Sequence, residues 1–301
     1  MEGMLQRSGR GGRRGTCGDQ HGMPFTQHET KQIAEANASG RPVVVFAHGF
    51  WLMPDSWGSW RELFKEAGYA TVAPSWPGSP ETVGEARANP DAFAGQMVGP
   101  VANHVAEVMA QLTAKRALVG HSFGGLLAQI IAAHGFAHVT VAIDPAPFRG
   151  ARKVPISAPK SVRPLLANPA NYGRAVTLTL EQFRSGWANT VSESEAKLLY
   201  EKFLVAAPGS AVFQVACANL NPWSQASVDI KYRHRGPLLL VSGTEDNMVP
   251  AAVTNAAFKL QRRNRGLTEM AQVENCGHSL TIDSGWREVA EMVLTFIQRF
   301  I

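Results

Sequence analysis

Six short apolar runs recur along the chain, and most of them are continuous and rich in β-branched residues. The runs are RPVVVFAHG, GYATVAP, KRALVGHS, HVTVAID, GPLLLVSG and TEMAQVEN. The first three are apolar runs bounded by Gly, Pro or polar residues, which predict strands that are buried on both faces of a sheet. The other three are further strand candidates, so the chain contains six candidate strands.

Apolar residues recur at helical spacing between and after these runs. One face of the predicted helix VANHVAEVMAQL carries Val101, Val105, Val108 and Leu112. Further helices are predicted for TQHETKQIAEANASG, for GGLLAQIIAAHG, for the segment after Pro250 and for WREVAEMVLTFIQRF. Strands that alternate with helices predict an α/β fold with a doubly wound, mostly parallel sheet.

The alternation stops over residues 147–235, which begin with a proline-rich stretch and continue with helix signals. The prolines there include Pro147, Pro155, Pro164 and Pro169. Ser192 with Glu195 and Thr179 with Gln182 have the spacing of capping boxes at helix starts. We predict an α-helical lid insertion over 147–235 and an α/β core formed by residues 23–146 and 236–301.

Residues 1–22 differ from the rest of the chain in composition. Four arginines, Arg7, Arg10, Arg13 and Arg14, stand against Glu2 and Asp19, which gives this segment a net charge of +2. The Gly-rich, apolar-poor stretch RSGRGGRRG predicts a disordered basic tail. It contains no apolar stretch of the kind that a secretory signal requires.

The whole chain has 301 residues, of which 45% are apolar and 18% are charged, as in soluble globular proteins. Its net charge is +5, so +3 remains outside the tail, and no Lys/Arg stripe predicts a nucleic-acid partner. No run of about 18 apolar residues predicts a membrane span. Cys17, Cys217 and Cys276 are too widely spaced for a disulfide framework or a zinc site. We therefore expect no metal and a reducing, cytoplasmic location.

The stretch GHSFGG, residues 120–125, joins a predicted strand to a predicted helix. A Gly-x-Ser-x-Gly sequence at such a junction is typical of a sharp turn that holds a nucleophilic serine in a strained, exposed position. Gly120, Gly124 and Gly125 leave room for that turn. Ser122 is the candidate nucleophile, and a tight turn with an ordinary serine is the alternative.

A serine nucleophile needs a base, and the base needs an acid that orients it. Asp246 follows the strand GPLLLVSG in SGTEDNMVP, and His278 lies in the next strand-to-helix loop in ENCGHSL. The order Ser, Asp, His along the chain is the one expected for this strand–turn–helix arrangement. Glu245 and Asp144, the latter at the end of HVTVAID, are alternative acids.

An acyl-transfer site also needs hydrogen-bond donors for the oxyanion of the tetrahedral intermediate. HGFW follows the first buried strand, so the backbone amide of Phe50 is one candidate donor. The amide of Phe123, directly after the candidate nucleophile, is the second. Each such donor typically contributes about 3 kcal/mol to lowering the barrier.

The sequence from about residue 40 to the end resembles the α/β-hydrolase superfamily. The motifs HGFW, GHSFGG, SGTEDNMVP and CGHSL occur in the order of that family. HGFWLMPDSW, APSWPG and AIDPAPFRG are similar to a group of bacterial α/β hydrolases whose substrates are mostly unassigned. The resemblance implies a catalytic triad of Ser122, Asp246 and His278, an oxyanion hole of the Phe50 and Phe123 amides, and no cofactor. Many members begin with a β-hairpin, where this chain has a predicted helix.

A serine at the nucleophile position argues against epoxide hydrolases and haloalkane dehalogenases, which use aspartate there. The resemblance leaves hydrolysis of esters, thioesters, lactones or amides, carbon–carbon bond hydrolysis and perhydrolysis. Carboxylester hydrolysis through an acyl-enzyme requires the fewest special residues, so we predict an esterase with a small-molecule substrate. A slow-turnover receptor or signalling protein on the same fold is the alternative from another class.

Aromatic residues are concentrated in two parts of the chain. Trp51, Trp57, Trp60 and Trp76 surround the HGFW segment, and Phe183, Trp187, Phe203, Phe213 and Trp223 lie in the predicted lid. Such residues suit an apolar pocket for an acyl or aryl group, although they also suit a protein core. Our candidates for the substrate pocket are Trp51, Phe183, Trp187 and Trp223.

Overall fold

A computed structural model describes residues 25–151 and 159–301. The predicted tail over residues 1–22 lies outside these ranges, as does Pro155 of the predicted insertion. The main element is a parallel sheet of six strands in the order β2-β1-β3-β4-β7-β8. The strands are β1 Val43–Ala47, β2 Ala70–Val72, β3 Arg116–His121, β4 Val139–Ile143, β7 Leu238–Gly243 and β8 Thr268–Val273. All six strands fall within the apolar runs, so the predicted parallel α/β sheet is confirmed.

Eleven α-helices lie in the described ranges. They are α1 Gln27–Ser39, α2 Gly58–Glu66, α3 Val83–Ala88, α4 Val98–Gln111, α5 Phe123–Ala132, α6 Arg163–Leu166, α7 Leu180–Gly186, α8 Glu193–Phe203, α9 Gly209–Ala216, α10 Ala251–Gln261 and α11 Trp286–Ile297. Three 3₁₀ segments cover Pro54–Trp57, Pro90–Phe93 and Pro169–Gly173. Each helix expected from apolar spacing is present.

Helices cover both faces of the sheet, and this is why its central strands are apolar at consecutive positions. Val45 and Leu118 belong to one core cluster, together with buried residues of α1, α4, α5 and α10. Phe46 and Val119, the next residues along, point to the opposite cluster with α2 and α11. The sheet is therefore doubly wound, as predicted.

The first helix starts and ends as its sequence predicts. The Thr26 hydroxyl accepts a hydrogen bond from the Glu29 N–H, and the Glu29 carboxylate accepts one from the Thr26 N–H, which completes a capping box. Gly40 ends the helix with φ 64°, a conformation that glycine adopts without strain. The Glu29 carboxylate also accepts from the Ser75 N–H and contacts His104 Nε2 at 2.8 Å, so α1 is joined to the sheet domain through a buried carboxylate.

Between β4 and β7 the chain leaves the sheet and forms what we call the inserted region. Within it lie helices α6 to α9 and two short antiparallel strands, β5 Ala175–Val176 and β6 Ala207–Pro208. The Thr179–Gln182 capping box is present at the start of α7. At α8 the Ser192 hydroxyl accepts from the Glu195 N–H, but the Glu195 carboxylate accepts from the Ser284 N–H instead of completing the box. The reciprocal half of that capping box was therefore predicted wrongly, because a tertiary donor occupies the carboxylate.

Candidate active site

Ser122 lies at the turn between β3 and α5, with φ 56° and ψ −117°. Few residues other than glycine adopt a positive φ, so the turn is strained. Its geometry is fixed by hydrogen bonds: the Ser122 N–H donates to the Ile143 carbonyl oxygen at 2.9 Å, and its own carbonyl oxygen accepts from the Ala146 N–H at 2.9 Å. The neighbouring strand β4 thus holds the serine at the carboxyl edge of the sheet.

The glycines around Ser122 are needed because backbone atoms pass close to them. A Cβ on Gly120 would overlap the Gly124 carbonyl group, and a Cβ on Gly124 would overlap the Ala47 carbonyl oxygen at the end of β1. These contacts lie well inside van der Waals distance and involve backbone, which moves little. The sharp turn therefore requires glycine at both positions.

His278 connects Ser122 to Asp246. Its Nε2 lies 2.9 Å from Ser122 Oγ, and its Nδ1 lies 2.6 Å from Asp246 Oδ2. The second Asp246 oxygen accepts hydrogen bonds from the Met248 N–H at 2.7 Å and the Val249 N–H at 2.8 Å. Nδ1–H therefore donates to the carboxylate, and Nε2 is left to accept the serine hydroxyl proton. The structure brings together the three residues that the sequence indicated.

The alternative acids occupy other positions. Glu245 is exposed at the surface. Asp144 is buried, with φ 39°, and its Oδ1 accepts a hydrogen bond from the Gly243 N–H at 2.9 Å. Burial, reinforced by the negative charge of Asp246, holds the pKa of Asp144 well above its ordinary value. Asp246, and not Asp144, holds the position against the imidazole.

The candidate oxyanion loop, HGFW, is packed directly against the serine. A Cβ on Gly49 would lie 2.9 Å from the Ser122 Cβ, so only glycine allows the loop to come so close. The Phe50 ring stacks on the Phe123 ring with centroids 4.2 Å apart. Phe123 is the first residue of α5, so its N–H has no acceptor within the helix. Both candidate donors thus lie in segments that meet at Ser122.

His48 fixes the start of this loop. Its Nδ1–H donates to the Gly49 carbonyl oxygen at 3.0 Å, and its ring stacks on Trp76 at 4.5 Å. Burial lowers the pKa of His48 to about 4, so the ring is neutral at neutral pH. A neutral ring of fixed orientation keeps the loop backbone in place without adding charge near the site.

A cavity of about 260 Å³ opens at Ser122. It is lined by Phe50, Trp51, Ser122, Ala146, Pro147, Pro159, Val162, Leu166, Val212, Phe213, Val215, Ala216, Cys217, Met248, Val249 and Val253. None of these side chains is charged, and only those of Ser122 and Cys217 carry a hydroxyl or thiol. The lining therefore favours an apolar group in the substrate.

The aromatic pocket candidates lie in three different environments. Trp51 lines the cavity, and its indole N–H donates to the Val176 carbonyl oxygen of the inserted region at 3.2 Å. Phe183 and Trp187 are fully buried beside the cavity and are not part of its lining; Trp187 contacts the His278 ring instead, with centroids 4.4 Å apart. Trp223 follows Asn221 and Pro222 in a surface turn and is 86% exposed, so the structure does not bring it to the cavity.

Several residues near the site gave no signal in the sequence. Val212, Val215, Met248 and Val249 line the cavity, and only the folded chain brings them to Ser122. His121 is fully buried, with its ring centroid 4.6 Å from that of His278. Burial, together with the charge that His278 can carry, lowers the pKa of His121 well below its ordinary value.

Among the described residues, His121, Asp144 and His278 have potential metal-ligand atoms within 4.8 Å of one another. Both ring nitrogens of His278 already face Asp246 and Ser122, so His278 is not free to bind a metal. Within the same ranges, no helix has both the length and the apolar character needed to cross a bilayer.

Comparisons with known proteins agree with this fold. Solved structures with a similar fold include a monoacylglycerol lipase of Paleococcus ferrophilus, with a TM-score of 0.62 and 19% identity over 86% of this chain and 95% of the lipase. Polyneuridine aldehyde esterase has a TM-score of 0.57 and 16% identity over 85% of this chain and 99% of the esterase. A methylesterase from Arabidopsis has a TM-score of 0.58 and 16% identity over 85% of this chain and 98% of the methylesterase.

A search of curated proteins gave no significant sequence match. The model of the alpha/beta hydrolase family, in contrast, matches residues 44–292, which include all of the sheet except Val43 at the start of β1, as well as Ser122, Asp246 and His278. The chain belongs to the alpha/beta hydrolase family.

Proposed function

We propose that this protein is a serine esterase that cleaves small carboxylic esters with an apolar acyl or alcohol group. The observation that carries the proposal is the buried hydrogen-bonded series from Asp246 through His278 to a strained Ser122 that lines an apolar cavity. Hydrolysis of an acyl bond uses each of these features. The similar solved structures include a lipase and two esterases, which supports the same class of reaction.

In the first half of the reaction, Ser122 Oγ attacks the ester carbonyl carbon while its proton passes to His278 Nε2. The imidazolium that forms is stabilised by Asp246, whose carboxylate accepts the Nδ1–H hydrogen bond. The carbonyl oxygen becomes an oxyanion, and the N–H groups of Phe50 and Phe123 donate to it. His278 then returns the proton to the alcohol oxygen as the carbon–oxygen bond breaks, which leaves the acyl group on Ser122.

In the second half, a water molecule gives a proton to His278 Nε2 and attacks the acyl carbonyl carbon. The tetrahedral intermediate collapses, the bond to Ser122 Oγ breaks, and His278 returns the proton to the serine. The products are one carboxylic acid and one alcohol. The reaction needs no group beyond those in the chain and a water molecule.

The test is hydrolysis of p-nitrophenyl esters with acyl chains of two to twelve carbons, followed in the burst and in the steady state. Wild-type protein should release p-nitrophenol over many turnovers, with a maximum at one chain length set by the cavity. Ser122→Ala should lower kcat by roughly 10⁶. Ser56→Ala is the matched control, because Ser56 is also buried but its hydroxyl donates to the Met53 carbonyl oxygen.

Two results would contradict the proposal. Equal turnover by Ser122→Ala and wild-type protein would place the activity elsewhere. A single stoichiometric burst without turnover across the series would favour the receptor alternative or a different scissile bond.

A further inference from the structure

One short piece of the inserted region contacts both loops that carry the candidate acid and base. This piece, residues 185–190, comprises the end of α7 and the residues that follow it, and we call it the contact segment. Asp246 lies in the loop after β7, here the acid loop, residues 244–250. His278 lies in the loop after β8, here the histidine loop, residues 274–285.

The contact segment makes two hydrogen bonds to the acid loop, one on each side of Asp246. The Asn189 side-chain amide donates to the Glu245 carbonyl oxygen at 2.8 Å. The Asn247 side-chain amide donates to the Ser185 carbonyl oxygen at 3.1 Å. The residues immediately before and after the candidate acid are therefore both attached to the inserted region.

The contact segment also makes one hydrogen bond to each neighbour of His278. The Gly277 N–H donates to the Thr190 hydroxyl oxygen at 3.0 Å, and the Ser279 N–H donates to the Trp187 carbonyl oxygen at 2.9 Å. A Cβ on Gly277 would lie 2.8 Å from Asn189 Oδ1 and 3.0 Å from Thr190 Oγ1, so the contact segment packs closely against this residue. The residues before and after the candidate base are thus held by the same six-residue piece.

The ring of His278 itself is also in contact with this piece. The Trp187 indole is fully buried and meets the imidazole almost at right angles, with an interplanar angle of 81° and centroids 4.4 Å apart. The Trp187 ring also stacks on the Phe183 ring of α7, with the two ring planes 13° from parallel. A ring packed in this way limits rotation of the imidazole about its side-chain bonds.

We propose that residues 185–190 are positioning residues, which hold Asp246 and His278 in line with Ser122 through the backbone of the acid loop, the backbone of the histidine loop and the Trp187 ring. This inference rests on the proposed function, because it concerns the reaction of that site. Loops are ordinarily the most mobile parts of an α/β fold. A displacement of about 1 Å at a reacting group can lower a rate roughly 100-fold, so such attachments affect the rate directly.

The sharpest test uses Thr190, whose side chain is at the surface and whose hydroxyl accepts from the Gly277 N–H. Thr190→Val keeps the shape of the side chain and removes the acceptor, and we expect kcat to fall about tenfold while KM changes less than about twofold. Thr190→Ser keeps the hydroxyl and should restore kcat to within about twofold of wild type. A purely structural role would not lower kcat at a nearly constant KM and allow Thr190→Ser to restore kcat.

Trp187→Leu tests the ring contact and has a matched control in Trp57→Leu. Both indoles are almost fully buried, and neither indole N–H has a hydrogen-bond partner among the described residues. Trp57 packs against Phe46 and Trp60 on the opposite face of the sheet. We expect Trp187→Leu to lower kcat roughly 100-fold, and Trp57→Leu to lower stability with kcat within about threefold of wild type.

A second readout does not depend on turnover. The Nδ1–H proton of His278, which donates to Asp246, should give a downfield proton NMR signal that disappears in His278→Gln. We expect Thr190→Val and Trp187→Leu to broaden or shift this signal, and Trp57→Leu to leave it unchanged. Wild-type kcat and an unshifted signal in both contact-segment variants would overturn the inference, as would equal changes in the Trp57 control.

The two proposals fail in different ways. If no ester is hydrolysed but the signal responds only to the contact-segment variants, the esterase proposal fails and the positioning role remains. If Ser122-dependent hydrolysis is found but neither kcat nor the signal responds to Thr190→Val and Trp187→Leu, the positioning role fails and the esterase proposal remains.

Discussion

The candidate nucleophile and its two partners are held by different parts of the molecule. Ser122 is fixed within the sheet, by close contacts of Gly120, Gly124 and Gly49 with neighbouring backbone. Asp246 and His278 lie in loops whose flanking residues are hydrogen-bonded to the inserted region. Close backbone contacts within the sheet thus hold the candidate nucleophile. The loops that carry the candidate acid and base are held instead by hydrogen bonds to the inserted region.

This difference predicts two kinds of sensitivity. Changes around Ser122 should act on folding, because the backbone there cannot move without disturbing β1 and β3. Changes around Asp246 and His278 should act on the reaction while the protein stays folded. The predictions below test this contrast, starting with the largest expected effect.

The largest effect is expected on the loop side, at the acid. Asp246→Asn should lower kcat on the preferred ester by about 10⁴, because the amide can donate to Nδ1 and then favours the wrong imidazole tautomer. Asp144→Asn should keep kcat within about threefold of wild type, because its Oδ1 can still accept from the Gly243 N–H. Steady-state kinetics of both variants checks this. The opposite result would assign the orienting role to Asp144 on β4.

On the sheet side, Gly124→Ala should lower the free energy of unfolding by roughly 3 kcal/mol or more, because its Cβ would overlap the Ala47 carbonyl oxygen. Gly84→Ala in α3 is the control, since its Cβ has only an ordinary contact at 4.0 Å. Alanine favours a helix by about 1 kcal/mol over glycine, so the control should be neutral or stabilising. Urea unfolding measures both. If Gly124→Ala were as stable as wild type, the expectation that changes around Ser122 act on folding would be wrong.

A smaller effect is expected at His48, which orders the oxyanion loop. Its pKa is about 4 in the folded protein, below the ordinary 6.5. Below pH 6.5 the unfolded chain binds a proton that the folded protein does not, so stability is lost as the pH falls from about 6.5 toward about 4. From pH 7.5 to 5 this amounts to about 2 kcal/mol for the one group.

His48→Asn removes this titrating ring, so its free energy of unfolding should fall less than that of wild type over the same pH range, by about 2 kcal/mol. The exposed His28 provides the control, and His28→Asn should follow wild type. Urea unfolding at pH 7.5 and pH 5 gives the comparison. Identical pH dependence in His48→Asn and wild type would show that burial does not lower the pKa of this ring.

The smallest effect concerns the part of the inserted region that lines the cavity. Val212 of α9 lies in that lining, and Val212→Phe should fill part of it. We expect about a tenfold loss of kcat/KM on the longest acyl chain that wild type accepts, comparable to the discrimination of a methylene group. The two-carbon ester is the internal control and should be hydrolysed at the wild-type rate. An unchanged chain-length profile would mean that the acyl group lies elsewhere.

The sequence predicted the sheet well because β1, β3, β4 and β7 are buried on both faces and their apolar patterns are decided locally. It also predicted Ser122, Asp246 and His278 as candidates, since each follows a strand and parallel strands end at one edge. It could not decide between Asp246 and Asp144. Their strands, β7 and β4, are adjacent, so only the distances in the folded chain separate the two carboxyl groups.

Tertiary contacts between distant residues account for what the sequence did not predict. The Glu195 carboxylate bonds to the Ser284 N–H, 89 positions along the chain, and no local pattern indicates this. Trp187 and Trp223 are both tryptophans of the predicted lid, yet one is fully buried against His278 and the other is 86% exposed. Aromatic composition could not distinguish a positioning contact from a surface side chain.

The double role of the inserted region limits how freely this part of the protein can be exchanged. A region that contributed only cavity walls could be exchanged without disturbing the loops that carry the acid and base. Here α9 contributes to the cavity while residues 185–190 hold the residues on both sides of Asp246 and His278. A chimera that takes its inserted region from a relative would therefore need to keep residues 185–190 of this protein.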